Sequence, residues 1–226
     1  MVVAAGQVDS ARAPEALAQL CRSYWPPLYA YVRRRGFDAH EAQDLTQEFF
    51  ARLIEKDWLR AVDPGKGRFR SWLLASAGHF LNNEWARLHT QKRGGTAVLL
   101  PLEFEDSETR FQREPQDDRT PDQIYDEQWV RTLLERALAG LREEYWTADK
   151  AALFEVLHPH LSGGREAGPG AEAAIRLGLS AGATRAALLR MRRRLGELVR
   201  AQVAHTVANP SEIDDEIAHL FAILGR

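Results

Sequence analysis

The amino-acid sequence predicts an all-α protein: two small helical domains joined by an acidic linker. Three observations carry that expectation. Apolar residues recur at helical spacing along almost the whole chain, and no segment sustains the alternation of a strand. Residues 94–124 interrupt the pattern with Pro101, Pro115, Pro121 and a run of acids. No self-similarity recurs at the roughly 20- to 50-residue period of repeat proteins.

Pro14 and Glu15 open a first helix carrying Leu17, Leu20, Tyr24, Trp25, Leu28 and Val32, which Pro26 and Pro27 should kink or divide. Asp38, with Glu41 three residues on, has the form of a capping box. The helix that follows buries Ala42, Leu45, Phe49 and Leu53 and turns Asp44, Gln47, Glu48 and Glu55 to the opposite face. The turn formers Asp63-Pro64-Gly65-Lys66-Gly67 end it. A long helix then runs from Arg68 to Gln91 and stops at Gly94-Gly95. A second block starts near Asp122, with Ile124, Trp129, Val130, Leu133, Leu134, Leu138 and Leu141 in register, followed by a short helix over Lys150 to Leu157. The glycines of Gly163-Gly164 and Gly168-Pro169-Gly170 mark a hinge or loop.

Ala171 to Leu177, the turn Gly178-Leu179-Ser180 and the helix from Ala181 have the spacing of a helix-turn-helix, with Ser180 as N-cap. After Val207, Asn209-Pro210 breaks the chain and Ser211 caps a last helix, with Asp214 in the capping-box position. Ile213, Ile217, Leu220, Phe221 and Leu224 are its expected apolar stripe. Two roles stay open for it: completing the core of the second domain, or an acidic lid over the arginine-rich helix.

A formal net charge of −2 from 30 basic and 32 acidic residues argues at first against a nucleic-acid partner. The distribution reverses that inference. Lys66 to Arg93 sums to +5, Arg185 to Arg200 again to +5, and Glu103 to Glu127 between them to −7. Local charge is what attracts phosphates. On the second basic helix Ala187, Leu188, Met191, Leu195 and Val199 form the apolar stripe and the arginines fan round the remainder. Small residues at its start, Gly182 among them, allow close approach to a duplex, leaving base readout to Arg185 and Arg190. On the first basic helix Phe69, Trp72, Leu73, Ser76 and Phe80 share the core face, while Ser71, Asn82, Trp85 and His89 lie opposite. Such an aromatic among cations can stack on unpaired bases, or can pack under the linker.

Other chemistries find no residues to carry them. The seven His are scattered, and His158-Pro159-His160 has no acids at metal-ligand spacing. Gly163-Gly164 lacks the Lys-Ser/Thr ending of a phosphate loop. No catalytic residue, metal or cofactor is expected. One cysteine, Cys21, excludes an intrachain disulfide. No apolar run exceeds about five residues, so neither a signal peptide nor a membrane helix is expected. A cytoplasmic protein is the expectation.

The stretches Asp44-Leu45-Thr46-Gln47-Glu48-Phe49-Phe50, Phe69-Arg70-Ser71-Trp72-Leu73 and Leu177-Gly178-Leu179-Ser180 resemble, in order and spacing, the extracytoplasmic-function (ECF) sigma factors of bacterial RNA polymerase. Gly67 to Ala75, with His79-Phe80-Leu81 and Asn83-Glu84-Trp85, is similar to a planctomycete-type subgroup. The resemblance implies a region-two domain over 15–95 that docks on polymerase and melts and reads the promoter −10 element. It implies an acidic linker over 96–121, a region-four domain over 122–207 that reads the −35 element, and a C-terminal amphipathic helix over 209–226. It implies polymerase docking through Asp44, Gln47, Glu48 and Arg52. It implies −10 contacts from Lys66, Arg68, Arg70, Asn82, Asn83, Trp85, His89, Lys92 and Arg93, and −35 contacts from Ser180, Gly182, Arg185, Arg190, Arg193 and Arg194. Phe69 and Trp72 stay in the core. Core RNA polymerase and promoter DNA are the implied partners, with an anti-sigma factor, or a kinase acting on Thr46, as candidate regulators. Gly78-His79 stands where the family has Arg-Asn, Asn83 where it has Asp, and the small Ala173 and Thr184 suggest a region four steadied by Leu153, Phe154 and Leu157. The alternative is a helix-turn-helix repressor or activator that acts on duplex DNA without polymerase.

Overall fold

The computed structural model describes residues 13–56, 58–62, 67–90, 104–112, 118–162, 171–204, 206–207 and 210–225, and among these all regular structure is helical. In chain order the helices are α1 (Ala13–Arg34), α2 (Ala39–Glu55), α3 (Phe69–Thr90), α4 (Phe104–Gln112), α5 (Pro121–Thr147), α6 (Ala151–Leu157), α7 (Ala171–Leu177), α8 (Ala181–Ala204) and α9 (Ile213–Leu224). Short 3-10 turns occupy Trp58–Ala61, His158–His160 and Pro210–Glu212. No described helix is long and apolar enough to cross a membrane.

Two compact units emerge: residues up to Thr132 together with those from Val203 onward, and Leu133–Gln202. The divisions fall inside α5 and α8, not at the boundaries near 95, 122 and 207 that composition suggests. A division follows where side chains are buried, and composition alone does not report that.

In the first unit Tyr24 packs edge-on against Phe69 at 5.3 Å and stacks with Trp129 at 6.5 Å, while Trp25 stacks on Phe50 at 5.7 Å. Pro26 and Pro27 lie within a single helix and do not divide it. Each proline interrupts the helix ladder at a local cost of about 3 kcal/mol, and the burial of Tyr24, Trp25, Leu28 and Tyr31 around them offsets it. The Asp38 capping box is present: the Asp38 carboxylate accepts from the Glu41 amide at 2.8 Å, and the Glu41 carboxylate accepts from the Asp38 amide at 3.1 Å. A second box, Thr120 with Gln123, starts α5.

The second unit has its own core of Leu141, Phe154, Leu157, Ala187, Leu188 and Met191, with Leu153 packed against it. Gly178 takes a positive φ of 65°, which lets the chain leave α7. The Ser180 hydroxyl then accepts from the Ala183 amide at 3.2 Å and starts α8.

Two segments depart from expectation. The linker contains a helix, α4, fastened to α1. Arg33 donates through Nε to Glu108 Oε2 at 2.9 Å and through a terminal nitrogen to Oε1 at 3.0 Å, Tyr29 donates to the same carboxylate, and Arg33 lies over the Phe111 ring at 4.7 Å. The last helix lacks the Ser211 cap: a 3-10 turn precedes α9 and no side chain caps it. Its buried stripe is Ile213, Glu216, Leu220 and Ile223, whereas Phe221 and Leu224, expected inside, are exposed. The helix is rotated to aim a carboxylate inward. It belongs to the first unit and not to the core of the second.

The α4 clasp gives a pH test. Burial alone would raise the Glu108 carboxyl, but hydrogen bonds from Arg33, Tyr29 and Gln112 bring it below its ordinary 4.5. A carboxyl lowered by folding contributes stability above its unfolded value and loses it as pH falls through the folded one. Glu108→Gln should therefore lower the urea midpoint by a constant amount above the ordinary carboxyl value and converge with wild type below it. A gap that does not depend on pH would contradict the clasp.

Candidate nucleic-acid interface

The exposed face of α2 is narrower than its sequence suggests. Asp44 is exposed and faces His40 one turn earlier at 3.2 Å. Glu48 pairs with Arg52 at 2.5 Å, and Arg52 reaches across to Glu84 of α3 at 2.8 Å with its guanidinium over the Phe80 ring. Gln47, expected on the docking face, is only 3% exposed, and Thr46 is buried with its hydroxyl donating to the Ala42 carbonyl at 2.7 Å. The helix packs against α1, α3 and the Trp58–Ala61 turn, so its buried stripe is wider than one apolar row. Gln47 is thus withdrawn from a docking role in this state, and a kinase would find no accessible hydroxyl at Thr46.

On α3 the expected division of faces holds where it is described. Phe69, Leu73 and Phe80 are buried, and Trp72, half-buried, stacks on Phe69 at 5.5 Å. Ser71, Asn82, Asn83 and Trp85 are exposed. Trp85 is 52% exposed and meets Phe37 edge-on at 5.6 Å. Asn82 accepts from Arg35 at 2.8 Å. Arg35 also donates to the Tyr31 hydroxyl at 3.2 Å and lies over that ring. Arg35 therefore joins the surface of Asn82 and Trp85, with the buried Phe37 ring supporting the indole. The basic run Arg33-Arg34-Arg35 ahead of Gly36-Phe37 was the legible signal for them. Lys66, Lys92 and Arg93 lie outside the described residues, as does the His89 side chain.

Arg70 corrects the expected interface most. It is not on the surface; it is 5% exposed. Its Nε donates to Glu216 Oε1 of α9 at 2.7 Å, its guanidinium pairs with Asp126 of α5, and it lies over the Trp129 ring at 5.3 Å. The Tyr125 hydroxyl donates to the Arg70 carbonyl at 3.1 Å. Burial works against the Arg70 charge, but Asp126 and Glu216 outweigh it and raise its pKa. Arg68 reaches the other oxygen of the Glu216 carboxylate, Nε to Oε2 at 2.6 Å. Two of the cations assigned to DNA are thus held by one acid of the chain itself.

In the second unit Arg185 and Arg190 stand exposed on α8, as do Ser180 and Gly182. Arg193 is exposed and pairs with Glu197 at 3.2 Å. Arg194 is clasped by two acids: Glu144 of α5 through both oxygens at 2.7 and 2.8 Å, and Glu197 at 2.8 Å. The Arg194 bonds hold the Glu144 carboxyl below the ordinary range, and those from Arg194 and Arg193 do the same for Glu197. Arg192 is turned inward onto the His160 carbonyl at 2.7 Å. Cys21 is buried, which pushes its thiol up to about 11 and leaves it without thiolate reactivity.

Glu144→Gln should loosen Arg194 while barely moving stability, because the pair is solvent-exposed. Duplex DNA affinity by fluorescence anisotropy should rise, with the slope of log affinity against log salt steeper by about 0.9 for one added phosphate contact. An unchanged slope would remove Arg194 from the interface.

The family model described as Sigma-70 region 2 matches residues 20–90, under half of the chain. No curated protein and no solved structure matches. The matched stretch takes in α1 from Leu20, all of α2 and all of α3, the helices that carry Arg52, Arg70 and Trp85. This part of the chain is similar to sigma-70 region 2.

Proposed function

We propose that the protein is a cytoplasmic ECF-type sigma factor, similar to the planctomycete-type subgroup, which binds bacterial core RNA polymerase and directs initiation at promoters carrying −10 and −35 elements. The observation that carries this is the coincidence, in one chain, of a Sigma-70 region 2 match over 20–90 with a separate unit built on a helix-turn-helix. Region two, over 15–95, docks through the open part of α2, Asp44 with the Glu48–Arg52 pair. It meets the −10 strand through Trp85, Asn82, Asn83 and His89, with Arg68, Lys66, Lys92 and Arg93 as the surrounding cations. An exposed indole beside an amide provides stacking and base-edge bonds, which offset the few kcal/mol of unpairing a base.

The second unit supplies the −35 contact. Ser180 starts α8, and Arg185 and Arg190 extend from the first turns of the helix that would enter the major groove. Gly182 leaves that end of the helix without bulk, and Arg193 and Arg194 lie further along for the phosphates. An anti-sigma factor, if one acts here, would have the open face of α2 to cover.

Run-off transcription with purified bacterial core polymerase on genomic promoter fragments tests the reading. Start-site-specific transcripts that depend on the protein are expected, with weak DNA binding by the protein alone. Tight duplex binding without stimulated initiation would support the repressor or activator alternative instead. Arg185→Ala and Arg190→Ala should each weaken promoter engagement by about 1–3 kcal/mol if each reads a base. A uniform loss across all DNA sequences would reassign them to phosphates.

A further inference from the structure

We propose that α9 is an intramolecular competitor of nucleic acid for Arg68 and Arg70, its Glu216 carboxylate occupying the place of a backbone phosphate. The proposal rests on the sigma-factor reading and goes beyond it by naming what keeps this end of region two off DNA in the free chain.

The geometry points to an anion site. Arg68 and Arg70 stand one residue apart at the start of α3 and converge on separate oxygens of one carboxylate, at 2.6 and 2.7 Å. Two guanidinium groups sharing a two-oxygen anion are the arrangement that also takes a phosphate. The Glu216 side chain is 1% exposed, so the occupant excludes solvent and any other ligand from the site while α9 is docked. Asp214 and Asp215 precede it in the first turn of the helix, giving that end of α9 a run of three acids.

The docked pose also carries an apolar cost. Turning Glu216 inward leaves Phe221 68% and Leu224 53% exposed, so α9 surrenders apolar burial for its charge contact. Asp126, on α5, pairs with Arg70 independently of α9. Departure of α9 therefore leaves Arg70 with a partner, and Arg68, already one-third exposed, becomes the first cation available to a strand.

The test uses the full-length chain without polymerase and a fluorescent single-stranded oligonucleotide. Glu216→Gln should bind severalfold more tightly than wild type, with the salt slope steeper by about 0.7 for one recovered phosphate contact. Glu216→Asp, which keeps the charge, should stay near wild type, and adding Arg68→Gln to Glu216→Gln should abolish the gain. Unchanged or weaker binding by a folded Glu216→Gln would overturn the proposal and make Glu216 a structural brace. Should that variant not fold, hydrogen exchange on the wild-type chain decides: saturating oligonucleotide should strip protection from residues 213–224, and unchanged protection there overturns the proposal. Run-off initiation by the wild type reports separately on the sigma-factor reading. Its absence fails that reading, whereas initiation alongside retained α9 protection fails only the competitor.

Discussion

The buried guanidinium of Arg70 is the constraint around which the first unit is arranged. Three helices far apart in sequence meet at it: α3 supplies the cation, α5 supplies Asp126 and the ring of Trp129, and α9 supplies Glu216. A charge so far from solvent is tolerated only when its donors are matched, and removing one partner of a buried pair typically costs about 3–5 kcal/mol. The pair is therefore poor evidence of extra stability and good evidence of specification. Only one rotation of α9 brings Glu216 to Arg70, and that rotation is adopted even though it leaves Phe221 and Leu224 in water.

What was legible in the sequence was what is decided locally. The Asp38–Glu41 box, the Gly178 turn and the Ser180 cap each depend on residues within three or four positions, and each is present. The division of α3 into a core face and an exposed Trp85 face followed from helical period alone. Most of the misses share a physical cause, dependence on partners distant in sequence; the Ser211 cap is an exception, a local signal displaced by the 3-10 turn before α9. Arg70 reads as one more cation in a basic run until Glu216, 146 residues away, is found against it. Gln47 reads as a surface residue until α2 is seen packed on more than one side. The apolar stripe of α9 was miscounted because hydropathy ranks Phe221 above Glu216, whereas a waiting arginine reverses that order.

Charge placement ties the fold to the function. A near-neutral chain with two strongly basic helices has to keep those helices from each passing polyanion, and here acids of the same unit are set against them. Glu216 holds Arg68 and Arg70 in the first unit, and Glu144 with Glu197 holds Arg194 in the second. Left outside these clasps are the groups suited to reading bases: Trp85 and Asn83 on α3, and Arg185 and Arg190 on α8. Phosphate grip is restrained while these groups stay presented, which suits the sigma factor proposed above.

A double-mutant cycle on Arg70→Met and Glu216→Leu, followed by urea unfolding of the full chain, tests the central contact most directly. If the two side chains are a matched buried pair, the double variant should be more stable than the sum of the single losses allows, with a coupling well above about 0.5 kcal/mol. Additivity within about 0.3–0.5 kcal/mol would mean the two residues act independently, and the account of α9 as a helix oriented by Arg70 would fail.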